Sequence, residues 1–146
     1  MACPNKYQKS SLRAYNQSEQ NFSTSRNIIF SNIAYISGTS ISCDANSDTI
    51  YLKTNGLYYI TIDVVMANGT ANTNTTIQMY ANGALVPAAL VESTLTATTD
   101  LQSGTISAVI PVDGCNCPCA NKAITFKVSG TTALIESVNV NVIRLA

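Results

Sequence analysis

The stretch from residue 56 to 66, Gly56-Leu-Tyr-Tyr-Ile-Thr-Ile-Asp-Val-Val-Met66, constrains the fold more than any other part of the chain. Tyr58, Ile60, Ile62, Val64 and Met66 occupy every second position. Successive side chains of an extended strand point to opposite faces, so this spacing puts five large apolar groups on one face. A helix would scatter the same residues around its axis. A stripe of that length needs a second layer to cover it.

The rest of the chain repeats the theme with turn signals about every 8–12 residues, as in sandwiches and barrels. Strands are expected over residues 28–36, 40–43, 49–52, 56–66, 75–81, 84–91, 103–112, 122–128 and 132–145, with 94–99 ambiguous. Asn82-Gly83 between two of them is a two-residue hairpin, because both residues tolerate positive φ. Pro87 marks its own strand as an edge or a bulge, since proline has no N–H to give to a ladder. Nothing predicts a long helix. The pattern reads as an all-β sandwich or jelly roll of about 8–10 antiparallel strands. Its core and subunit-packing candidates are Phe30, Tyr58, Ile60, Ile62, Val64, Ile77, Met79, Val138, Val140 and Val142. Tyr59 points away from Tyr58, to a surface or a subunit interface. Asn139 and Asn141 alternate with the valines, on a solvated face or at a subunit interface.

Composition narrows the function. The 146 residues include 8 basic and 8 acidic side chains and no histidine, so the formal charge is zero. Phosphate neutralisation needs a basic footprint that this chain lacks, so nucleic acid is not an expected partner. Without an imidazole there is no Ser-His or Cys-His pair and no histidine in a zinc site, so neither an enzyme nor a cofactor is expected. No apolar run approaches the ~18 residues of a membrane helix, and no apolar leader is visible at the start. With 11% charged residues, little electrostatic repulsion opposes contact between copies.

Residues 1–27 read differently from residues 28–146. Tyr7, Leu12, Tyr15 and Phe22 follow neither periodicity, and polar residues fill the gaps. The segment is expected to be an extended arm, contacting a neighbouring subunit through those four side chains. Fully extended, it spans at most about 90 Å. Deleting residues 1–20 is then expected to leave the domain intact.

Three stretches resemble the C1q/TNF-like jelly-roll family: Gly56-Leu-Tyr-Tyr-Ile-Thr-Ile-Asp-Val64, Ile77-Gln-Met-Tyr-Ala-Asn-Gly83 and residues 101–114 with their Ser-Gly strand and closing turn. The hydrophobic strand near the C-terminus sits where that family's last strand lies. The resemblance implies the fold and compact homotrimers, and it implies no ligand. Among bacterial members it points to spore-surface fibres and appendages such as the exosporium nap. A homotrimer linked into a filament by its arms and anchored by an exosporium-type tip or anchor protein would be the outcome. Phage head fibres and capsid decorations use similar trimers and give the alternative. A receptor- or carbohydrate-binding trimer is the third.

Five cysteines complete the inventory: Cys3, Cys43, Cys115, Cys117 and Cys119. Residues two apart in an extended chain have Cα atoms about 6.5–7 Å apart with side chains on the same side, which makes the last three poor partners for one another. Their C-x-C-x-C spacing also departs from the usual zinc pairs. An odd count leaves at least one thiol free or bonded to another chain. Reduced thiols and inter-subunit disulfides both remain open, and all five are disulfide candidates. The four Asn-X-Ser/Thr sequons are expected by chance in a chain that is about a third Ser, Thr and Asn. Asp44 and Asp48 suit turn geometry as well as calcium.

Overall fold

A computed structural model describes residues 9–70, 72–98, 100–113, 121–130 and 132–146. Twelve strands lie among them: β1 Ser11–Asn16, β2 Gln20–Phe22, β3 Arg26–Asn27, β4 Asn32–Ser37, β5 Ile41–Ser42, β6 Ile50–Leu52, β7 Gly56–Asn68, β8 Thr73–Ala81, β9 Ala84–Leu95, β10 Gln102–Val112, β11 Lys122–Ser129 and β12 Ala133–Arg144. They form two six-stranded sheets. Sheet A runs β10-β7-β12-β1-β4, with β2 also paired to β12. Sheet B runs β5-β6-β11-β8-β9, with β3 also paired to β11. The strand pairs within each sheet are antiparallel.

The alternation in β7 builds the centre of the molecule. Tyr58, Ile60, Ile62, Val64 and Met66 are at most 2% exposed, and the neighbouring Val138, Val140 and Val142 of β12 are at most 3%. Facing them from sheet B are Ile77 and Met79 of β8 and Ile124, Phe126 and Val128 of β11, all fully buried. Phe30 meets Phe126 edge-on, with ring centroids 6.2 Å apart at 84°, the geometry that aromatic quadrupoles favour. Tyr58 is wholly buried, and its hydroxyl donates to the Thr54 carbonyl at 2.7 Å.

The reading of residues 1–27 as an arm requires correction from Ser11 onward. β1 lies between β12 and β4, with Leu12 opposite Val142 and Ala14 opposite Val140. Leu12, Ala14 and Phe22 belong to the core at 0–2% exposure. β2 continues along β12, and β3 pairs with β11 in the other sheet. The inward set of β1 is Leu12, Ala14 and Asn16. A two-residue period hides when its members are one leucine, one small residue and one amide. Ile28 and Phe30 lie before β4 instead of within a strand, although both are buried; the Ile28 N–H donates to the Phe126 carbonyl.

Pro87 lies where β9 departs from its partner. Leu90 pairs with Gln78 and Leu85 with Tyr80, so three extra residues sit on the β9 side. Ala88 there has φ of 59°. β9 is thus both an edge strand and a bulged one.

A candidate self-association face

The outward faces of the two sheets differ. Sheet B presents mainly Thr76, Gln78, Thr125, Lys127 and Glu92, with Lys127 above the Tyr80 ring at 6.0 Å. Sheet A is apolar at one end. Its register aligns Val109, Tyr59 and Ile143 across β10, β7 and β12. The next row aligns Pro111 with Leu57, and the Leu145 N–H donates to the Leu57 carbonyl. Leu57, Tyr59, Val109, Ile143 and Leu145 are 39–52% exposed. Directly paired residues stand about 5 Å apart, so these side chains form one contiguous patch rather than scattered surface residues. Patches of that kind mark interaction sites on soluble proteins. Beside it, Tyr35 on β4 stands opposite Arg13 on β1.

Toward the other end the same face turns polar and concave. A hollow of about 530 Å³ is lined by Arg13, Tyr15, Asp63, Thr105 and Asn139, among others. The Arg13 Nε donates to Asn139 Oδ1 at 2.8 Å. The Thr105 hydroxyl donates to Asp63 Oδ1 at 2.7 Å. Asn139 and Asn141 therefore both lie on this outward face, and Asn139 is engaged by arginine.

A second apolar surface adjoins the first. Leu85, Pro87 and Ala88 at the β9 bulge face Val109 and Pro111 of β10 across a groove of about 710 Å³. Val109 belongs to both surfaces.

The predicted site residues sort into three groups. Phe30, Tyr58, Ile60, Ile62, Val64, Ile77, Met79, Val138, Val140 and Val142 lie between the sheets, where another subunit has no access to them. The candidate packing surface instead uses the opposite phase of the same strands, through Leu57, Tyr59 and Ile143. The signal was in the sequence: apolar residues occupy the solvent phase at several strand ends. Of the four proposed arm contacts, Leu12 and Phe22 are in the core, Tyr15 lies half-buried on the outer face of β1, and Tyr7 falls outside the described residues.

Of the disulfide candidates, Cys3, Cys115, Cys117 and Cys119 also fall outside them. Cys43 does not suit the role. It is 8% exposed and free, and burial, followed by the nearby Asp44 and Asp48 carboxylates, pushes its thiol up to about 11. The points where the chain enters residues 1–8 and 114–120 from the described side, at Lys9 and Asp113, lie at the apolar end of sheet A. Ser10 accepts from the Arg144 N–H at 3.0 Å, Val112 pairs with Gly56, and the Leu57 N–H donates to Ala146. Lys9 and Asp113 are thereby carried to one end of the sandwich.

Asp48 accepts hydrogen bonds from Asn27 and Thr49, and no group of three or more metal-ligating side chains occurs among the described residues. The first residue of one sequon, Asn68, is fully buried; it accepts from the Thr75 hydroxyl at 2.7 Å and donates to the Thr73 carbonyl. Among the described residues no helix is long and apolar enough to cross a membrane.

No protein-family profile matches the chain, and no curated protein matches it by sequence. Solved structures do. Murine APRIL at pH 5.0 superposes with a TM-score of 0.66 over 94% of this chain and 100% of that one, at 12% identity. The PRD1 vertex protein P5 superposes with a TM-score of 0.64 over 94% and 97% of the two chains, at 16% identity. The fold is therefore an all-β, C1q/TNF-like jelly-roll sandwich, shared with a phage vertex protein.

Proposed function

We propose that the chain is a structural subunit that assembles through the outer face of sheet A into a homotrimer, of the kind that caps or decorates a virion. The observation that carries this reading is the exposed apolar patch of Leu57, Tyr59, Val109, Ile143 and Leu145. Removing such side chains from water is worth about 25 cal/mol per Å². The patch and the groove at the β9 bulge are different surfaces that adjoin at Val109. A contact between unlike surfaces is heterologous, and a heterologous contact that closes makes a ring. The vertex protein's fold, matched over 97% of its length, favours a virion setting.

A second reading is a fibre on a spore surface, outside the cell, cross-linked by disulfides and attached through an anchor protein. Its support is the convergence of Lys9 and Asp113 on one end, because these residues lead to the segments with four of the five cysteines. Cys3 lies six residues before Lys9 and so within about 20 Å of it.

Native mass spectrometry with negative-stain microscopy, with and without reductant, tests both readings. Discrete trimers that ignore reductant support the virion reading. Reductant-sensitive filaments support the fibre. Monomers under all conditions would remove both.

A further inference from the structure

The outer face of sheet A carries very little charge. Between the apolar end and the β12 irregularity at Ser137, its outward positions run Ser103 to Pro111 on β10, Leu57 to Val65 on β7, Ser137 to Ile143 on β12 and Ser11 to Tyr15 on β1. Among these positions there is one acid, Asp63, and one base, Arg13. They flank β12 on opposite sides, Asp63 opposite Asn139 and Arg13 opposite Asn141. With strands about 4.8 Å apart and a two-residue offset of about 7 Å along them, their backbones stand roughly 12 Å apart.

Both side chains line the same hollow, yet each is held by a neutral partner. Arg13 is tied through Nε to Asn139 and Asp63 through Oδ1 to Thr105. Held this way, the guanidinium's terminal nitrogens and the second carboxylate oxygen make no hydrogen bond to each other or to a third group among the described residues. A guanidinium fork on the β1 flank and a carboxylate on the β7 flank are complementary across a contact between unlike flanks of neighbouring copies, the heterologous geometry that a ring requires.

We propose that Arg13 of one copy pairs with Asp63 of the next when the β1 flank of one sheet A face meets the β7–β10 flank of its neighbour in the ring, and that this ion pair sets the register of the assembly. The inference rests on the self-association reading and names the residues that make it specific. The apolar patch provides area but no unique alignment. An acid and a base on opposite flanks of the central strand define the relative placement, because a shifted copy leaves both charges desolvated and unpaired. The pair acts on specificity and register more than on total affinity.

The test is sedimentation velocity on the full chain over a concentration series, for wild type, Arg13→Glu, Asp63→Lys and the double exchange. Circular dichroism confirms folding of each. Each single reversal is expected to raise the dissociation constant about 30-fold or more, from the ~2 kcal/mol or greater cost of an interfacial charge left unpaired. The double exchange is expected to recover most of that loss. Singles that associate like wild type, or a double exchange no better than the singles, overturn the ion pair while leaving the apolar face in place. A wild type that stays monomeric throughout overturns the self-association reading itself.

Discussion

Leu12 on β1 pairs directly with Val142 on β12, and both side chains are buried in the sandwich core. The pairing fixes where the domain begins. Leu12→Ala removes a fully enclosed side chain and is expected to cost about 2–5 kcal/mol, read as a lower urea midpoint. Deleting residues 1–8 is expected to leave the melting transition near that of the full chain. Deleting residues 1–20 removes β1 entirely and exposes the edge of β12, so loss of cooperative unfolding is expected. Equal stability of the two truncations would contradict the placement of β1.

Tyr59→Lys tests the apolar face. The side chain is 39% exposed and its neighbours Val109 and Ile143 are more so, so a lysine there leaves folding unchanged within about 0.5 kcal/mol. Self-association is expected to weaken by at least tenfold in light scattering. Tyr58→Lys, one residue away, is expected to abolish folding instead, because it buries an unpaired charge.

Cys43 is expected to be chemically silent. With a thiol pushed up to about 11 by burial and by Asp44 and Asp48, its thiolate fraction at pH 8 is about 0.1%, and the thiolate is the reacting species. Iodoacetamide at pH 8, followed by peptide mass spectrometry, should leave Cys43 unmodified in the native chain and label it in denaturant. Rapid native labelling would mean that the loop opens.

Asp48 ties the start of sheet B together. The Asn27 amide and then the Thr49 hydroxyl, both bonded to its carboxylate, hold its pKa below the ordinary value. A group with a depressed folded pKa stabilises the fold above its unfolded value, about 3.9, and that contribution fades as pH falls through the folded value. Urea titrations of wild type and Asp48→Asn should therefore differ most near pH 6 and converge toward pH 2–3. A difference that grows on acidification would reverse the assignment.

Two glycines with positive φ should respond unequally to alanine. At Gly56, with φ of 148°, an added Cβ would lie 2.0 Å from the Ala146 carbonyl oxygen. At Gly83, with φ of 78°, it would meet nothing within 4 Å. Gly83→Ala is expected to cost about 1–2 kcal/mol, the left-handed penalty alone. Gly56→Ala should cost more, since the backbone at Ala146, beyond the end of β12, must move away from Gly56. Thermal melts of the two variants give the comparison.

These contrasts explain what could be read from the residues. β7 was legible because five large side chains repeat at the strand period, and the β8–β9 hairpin because Asn82 and Gly83 have the positive φ that their turn requires. β1 was not legible because Ala14 and Asn16 disguise its inward face. Its burial depends on β12, more than 120 residues away, and on no local signal. The packing face was half legible. Tyr59 could be placed opposite Tyr58, but its alignment with Val109 and Ile143 depends on strand register, which one strand's pattern does not contain. The convergence of Lys9 and Asp113 on one end of the molecule was not legible for the same reason.

The irregular β9 has a meaning for misassembly. Two sheets with bare rims invite lateral growth into cross-β stacks, the failure that haunts chains rich in Val, Ile and Thr and poor in charge. Pro87 withholds an amide, and the three surplus residues break the straight hydrogen-bonding rim of β9. A copy that approaches side-on finds no continuous ladder there to extend. The distortion thus acts as a gatekeeper: it closes the amyloid-like route at that rim and leaves the faces for ordered growth.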